Sequence, residues 1–259
     1  MTSGVRRWAV DVAVITVRNL HRLVRIPTLL AFATIQPVLF VLLFTYGFGG
    51  AIQTPGVENY IDYLLPGIFV LSLGFGASQT GVAIADDLST GMIDRFRTLP
   101  MTRSAVLAGR TLADAVRNLF VIGLMIGLGY ALGFRFHTGF GTALGVIGLA
   151  LLVGLTFSWI NVLIGLLVSD PESAGLAGLF PVIALIFTSS TFVPIATMPG
   201  WLEAFAEVNP ITVVVDALRA LTLAAHASRD VWQALATIAM LLAIAIPTAV
   251  HRYRRAAAT

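Results

Sequence analysis

The chain alternates long apolar runs with short charged segments, and six runs are long enough as helices to cross roughly 30 Å of hydrocarbon. They span 26–48, 63–85, 115–134, 142–168, 174–193 and 232–250. Asp170-Pro171, ahead of the fifth run, pairs an N-cap residue with a first-turn proline and marks a tight helical restart. The pattern predicts an all-α integral membrane protein with six transmembrane helices, organised as one domain over 1–259.

The polar segments carry patterns of their own. In residues 1–25, Arg7, Asp11, Arg18, Arg22 and Arg25 fall on one helical face, with Val5, Trp8, Val12, Leu20 and Leu23 on the other. That predicts an amphipathic helix lying in the membrane interface, its arginines toward headgroups or a partner. Residues 194–231 are too broken for two more spans and too apolar for a free loop. Asn209-Pro210 suits the start of a short helix and Trp201 a headgroup-level anchor. The reading is two short helices dipping into the outer leaflet as a re-entrant hairpin, with an ordinary surface loop as the alternative.

Arginine placement sets the orientation, because basic residues resist translocation. The amino-terminal segment holds five arginines, the segment 86–110 holds Arg95, Arg97, Arg103 and Arg110, and the tail holds Arg252, Arg254 and Arg255. These three segments are expected in the cytoplasm, so both termini are expected there.

Composition agrees and excludes chemistry. At 58% hydrophobic and 11% charged, with a mean hydropathy of +0.91, the chain has more apolar surface than one soluble core hides. All sixteen basic residues are arginine, so the chain lacks the lysine that a P-loop or a Schiff-base enzyme requires. Cysteine is absent, which removes disulfides and thiolate sites, and His21, His137, His226 and His251 show no ligand spacing. No charged residue lies in the central portions of the six runs, so proton-coupled transport lacks its titratable group. Ser78, Ser158, Ser189 and Ser190 have no base at matching depth, which argues against an intramembrane hydrolase. These hydroxyls and Asn161 are expected to bond across helices or to their own backbone.

Glycines four apart, Gly123 with Gly127, Gly129 with Gly133 and Gly141 with Gly145, are read as helix-packing positions within the bundle, ahead of a dimer seam. Phe40, Phe44, Phe69 and Phe75 are candidates to line a hydrophobic substrate route, lipid-facing rings being the alternative. In 86–110, a short helix over Gly91 to Leu99, stopped by Pro100, sets Met92 and Phe96 among Asp94, Arg95 and Arg97. An apolar plug with a charged rim is suited to dock a soluble partner.

The run from Asp94 through Met101 with Arg103 and Gly109-Arg110, preceded by Leu64-Leu65-Pro66-Gly67, resembles the permeases of ABC type 2 exporters, in particular the daunorubicin-resistance subfamily. Phe192-Val193-Pro194, Met198 to Leu202, Asn209-Pro210, Asp216 and Arg219 resemble that family's outer-face signature, and the order holds over essentially the whole chain. The resemblance implies a permease in the bacterial plasma (inner) membrane, as a homodimer or with a sister permease, working with a dimer of ABC ATPase subunits. ATP and Mg would bind those partners; this chain would bind no cofactor, metal or nucleic acid.

It further implies that Met92, Asp94, Arg95, Phe96, Arg97 and Leu99 form the ATPase-coupling site, and that residues 5–25 form an interfacial connecting helix. Pro199, Trp201, Asn209, Pro210, Asp216 and Arg219 would belong to re-entrant outer helices. Drugs, complex lipids and polysaccharides are all family substrates, and the apolar spans favour a hydrophobic or amphiphilic one. A lipid-linked polysaccharide permease and a secondary drug transporter stand as alternatives.

Overall fold

The computed structural model describes residues 2–49, 59–91, 103–168, 170–223 and 228–256. Helix α1 (Thr2–Arg25) meets α2 (Pro27–Phe48) at Ile26, whose extended backbone is what a following proline imposes. Next come α3 (Tyr60–Ser89), α4 (Arg103–Ala131), α5 (Phe140–Leu167) and α6 (Pro171–Phe187). A 3-10 turn (Ile195–Thr197), α7 (Gly200–Val208), α8 (Pro210–Leu223) and α9 (Ser228–Ala256) complete the described residues, which are helical wherever they are regular.

Among the described residues, four helices, α3, α4, α5 and α9, are long and apolar enough to cross a membrane. Two shorter apolar stretches, Ala31–Gly47 and Pro171–Phe187, lie in α2 and α6. Several boundaries differ from those read along the sequence. Helix α4 begins at Arg103, not 115, because its first turns, though charged, have apolar Ala105, Val106 and Leu107 buried against neighbours. Helix α6 ends at Phe187, since Thr188 to Pro194 turn the chain back toward α8.

Helix α3 is the axis of the bundle. Twenty-two of its thirty residues are buried, packed chiefly against α5 and α6 and also against α2, α4 and α8. Leu64, Leu65, Ile68 and Phe69 are fully enclosed at its first half; a second cluster, with Trp159, Val162 and Tyr253, closes its last half. The α3–α5 contact is backbone to backbone: a Cβ on Gly165 would collide with the Gly81 carbonyl. Helix α9 lies at the rim, with 22% of its apolar window buried against 72% for α3.

The glycine spacings read from the sequence do not mark this packing. A side chain on Gly123, Gly127, Gly133 or Gly141 would meet nothing within 4 Å. Only Gly129, against Leu65 and Phe134, and Gly145, against Leu221, touch neighbours. Local four-residue spacing reports a smooth helix face, not what covers it.

Candidate functional site at the two ends of α3

At the Tyr60 end, the chain between α6 and α8 closes over α3. A helix C-terminus leaves carbonyls without partners, and here α8 provides many of them. Asn209 Nδ2 donates to the carbonyls of Leu185 (2.8 Å) and Thr188 (3.2 Å), while its Oδ1 accepts from the Ile211 amide that starts α8. Arg219, buried on α8, donates from Nη2 to the carbonyls of Ser190 (2.7 Å) and Thr191 (2.8 Å). Its Nε donates to the Tyr63 carbonyl (2.9 Å), and Nη1 donates to Ser190 Oγ and Asp216 Oδ1 (3.0 Å).

The guanidinium lies 3.5 Å from the centroid of the Tyr63 ring, whose hydroxyl donates to the Ser190 carbonyl. Tyr60 makes the parallel bond to the Phe192 carbonyl. Gly67 of α3 permits this closeness, since a Cβ there would lie 2.8 Å from both the Thr191 side chain and its carbonyl oxygen. One planar, permanently charged group thus joins α3, α8 and the turn after α6.

Of the residues assigned to this region from sequence, Asn209, Asp216 and Arg219 come together and Pro210 opens α8. Pro199 precedes α7, and Trp201 is exposed, apart from the cluster. Tyr60, Tyr63 and Thr191 complete the site and were missed, the two tyrosines ahead of the Leu64-Leu65-Pro66-Gly67 run being the one available signal, while Ser190, read only as a hydroxyl expected to bond across helices or to its backbone, donates to Asp216.

At the Ser89 end, charges pair side chain to side chain. Arg110 of α4 meets Asp87 of α3 at 3.0 Å with both side chains about nine-tenths enclosed. Arg22 of α1 reaches Asp86 at 3.8 Å, an exposed contact of small energetic weight. Thr16 donates to the Gly109 carbonyl, where the absence of a side chain lets α1 sit against α4.

Further along α4, Thr80 of α3 donates to Asp114 Oδ2 at 2.5 Å, and Arg117 Nη1 lies 3.4 Å from Asp114 Oδ1. Arg117 Nη2 donates to Asn118 Oδ1, and Asn118 Nδ2 stands against Gly154 of α5 without a hydrogen-bond partner. The Arg117 guanidinium passes Gly76, the seventeenth of the thirty residues of α3.

The expected absence of charge at the centre of the bundle is therefore corrected. Because α4 starts at Arg103, Asp114 and Arg117 fall near the middle of that helix rather than before its start. The other buried hydroxyls and amides follow expectation in part. Asn161 Nδ2 bonds back to the Phe157 carbonyl and Ser78 to Phe75, while Ser158 Oγ and Asn161 Oδ1 have no partner.

Three of the four candidate route residues gather. Phe40 lies edge-on to Phe75 (5.6 Å) and near Phe44 (6.3 Å), and Phe44 stacks on Phe192 (4.3 Å). Phe69 is enclosed in the core and cannot line a route in this conformation. Phe192, from the turn that Arg219 holds, takes its place in the row. The coupling residues Met92, Asp94, Arg95, Phe96, Arg97 and Leu99 lie outside the described residues, between Gly91 and Arg103.

A helical bundle that has, among the described residues, four long apolar helices, with the buried charges of Asp87, Arg110, Asp114, Arg117 and Arg219 paired, defines a multi-pass α-helical membrane protein. A family model described as ABC-2 type transporter matches residues 11–223, and the chain belongs to that family. Daunorubicin resistance ABC transporter permease protein DrrB1 of Streptomyces coeruleorubidus is 36% identical over 231 residues, covering 88% of this chain and 80% of that protein. Doxorubicin resistance ABC transporter permease protein DrrB of Mycobacterium tuberculosis is 31% identical over 202 residues, 71% of this chain and 66% of that protein. The chain is a permease subunit of an ABC exporter.

Proposed function

We propose that this permease moves a hydrophobic or amphiphilic drug, antibiotic or lipid outward across the bacterial plasma membrane, driven by a separate ABC ATPase. Similarity to drug-resistance permeases over most of the chain carries the reading. On it, α2, α3, α4, α5, α6 and α9 are the six spans. The 17-residue apolar stretches of α2 and α6 are at the lower limit for crossing. Helix α1 is the interfacial connecting helix, and α7 with α8 the re-entrant pair of the outer leaflet. The Arg219 knot then lies on the outer side, and both termini and the 92–102 segment are cytoplasmic.

Two permeases, identical or sister, work with two ATPase subunits that hold ATP and Mg. Met92, Asp94, Arg95, Phe96, Arg97 and Leu99 receive the ATPase movement. On either side of that segment in sequence, Asp87–Arg110 and Thr80–Asp114–Arg117 bind α3 and α4 together, so a push on the connecting segment reaches both helices. Phe40, Phe44, Phe75 and Phe192 offer flat apolar faces to a ring-bearing substrate.

The test is ATP-driven uptake of doxorubicin into inverted vesicles holding both subunits. Arg95→Ala with Phe96→Ala should abolish uptake while leaving membrane insertion intact, and full activity in that variant would remove the coupling assignment.

A further inference from the structure

Two glutamines lie inside apolar helices and take no part in the clusters described above. Gln36 falls within the Ala31–Gly47 stretch of α2, and Gln79 within α3. Each stands one helical turn from a ring on the same face: Gln36 is four residues before Phe40, and Gln79 four residues after Phe75. The two helices run antiparallel, since Phe40 meets Phe75 (5.6 Å) while a Cβ on Gly49 would lie 3.7 Å from the Tyr60 ring. One turn beyond the ring pair, away from Tyr60, α2 therefore presents Gln36 at the level where α3 presents Gln79.

Gln36 Nε2 is enclosed without a hydrogen-bond partner, and Gln79 is exposed. An amide inside an apolar span is costly unless it is hydrogen-bonded, so this edge of the bundle is suited to a polar ligand rather than to lipid tails. The charges flanking it on α3 and α4 are already engaged. Arg117, which passes Gly76, is held by Asp114 and Asn118, and Asp86 is met by Arg22. What the edge offers is a pair of flat apolar rings and, beside them, two neutral groups that both donate and accept.

We propose that Gln36 and Gln79 are specificity-determining contacts, hydrogen-bonding a neutral hydroxyl or ketone edge of a polycyclic aromatic substrate whose rings lie against Phe40 and Phe75. The proposal rests on the export reading for taking this edge as the substrate route, and narrows the substrate class from hydrophobic compounds in general to oxygenated ring systems. A bare hydrocarbon of the same shape leaves both amides unpaired, and a site built to hydrogen-bond its ligand discriminates against the analogue that cannot. A phosphate or carboxylate meets arginines that already serve carboxylates.

The test is equilibrium binding of dihydroxyanthraquinone and of anthracene, one ring skeleton with and without oxygens, to the full chain in nanodiscs, corrected for empty nanodiscs. Wild type should prefer dihydroxyanthraquinone by about tenfold, the scale of two hydrogen bonds. Gln36→Leu with Gln79→Leu should erase that preference and leave anthracene bound as before, while Phe40→Ala should weaken both probes. Equal binding of the two probes by wild type overturns the proposal, as does a preference unchanged in the glutamine variant or binding unchanged in Phe40→Ala. So does loss of both probes in the glutamine variant, which would place the amides in packing instead of recognition. No ATPase enters these readouts. ATP-driven doxorubicin uptake by a permease that shows no such preference would remove the glutamine assignment and leave the export reading standing.

Discussion

Arg219 and Arg110 are both buried arginines that hold α3 to a neighbour, but they hold it by different means. Arg110 faces the Asp87 carboxylate, a partner that is itself a side chain. Arg219 directs three of its bonds to the carbonyls of Tyr63, Ser190 and Thr191, and its one carboxylate, Asp216, is 44% exposed. A pair of side chains can be exchanged for a well-packed apolar pair with little loss. Backbone carbonyls are not exchangeable, so removing their donor leaves them buried and unpaired. The Ser89 end of α3 is thus held by a replaceable contact, and the Tyr60 end by one that only arginine can make.

The largest effect is expected at Arg219. Arg219→Met should cost about 3–5 kcal/mol of stability, read from unfolding in mixed detergent micelles, and Asp216→Leu should not restore it. Arg219→Lys should recover only part, since one ammonium cannot reach all the acceptors. Arg110→Met alone should cost about 3 kcal/mol, yet Asp87→Leu with Arg110→Met should regain most of it, giving a coupling energy of about 1–3 kcal/mol in a double-mutant cycle. Rescue at both ends, or at neither, would erase the distinction drawn between them.

Between the two ends, Gly165→Ala drives a methyl into the Gly81 carbonyl and should cost about 1–3 kcal/mol by the same measurement. The smallest effect belongs to Asp170, the fully exposed cap of α6. The amide and hydroxyl of Ser173 hold its carboxyl below the ordinary carboxylate range. A depressed value means the cap is intact above that range and is lost as pH falls through the bound value. Asp170→Ala should speed amide exchange at Ser173 at neutral pH and remove that acid dependence.

Much of the fold was legible because lipid demands long apolar runs, and such runs need no partner information to be recognised. The start of α4 was not: Arg103, Arg110, Asp114 and Arg117 make its first half look like a loop until α3 is placed beside it. In the Arg219 knot, Asn209, Asp216 and Arg219 stood out as polar residues in an apolar segment. Their principal partners are peptide carbonyls, which every residue carries and which leave no mark in a sequence. Likewise Gly81 and Gly165 meet only through the parallel packing of α3 on α5, so no spacing along the chain announces them.

The bundle's asymmetry bears on how it is made. A ribosome that has reached Leu223 has already synthesised every principal neighbour of α3, and the family match ends at that same residue. Helix α9, turning Trp232, Met240 and Ile244 outward, arrives after the centre can have closed. Nascent chains arrested after α8 are therefore expected to gain protease resistance around α3 before α9 leaves the insertion machinery. Helix α9 then adds a rib to a bundle already closed instead of triggering its collapse.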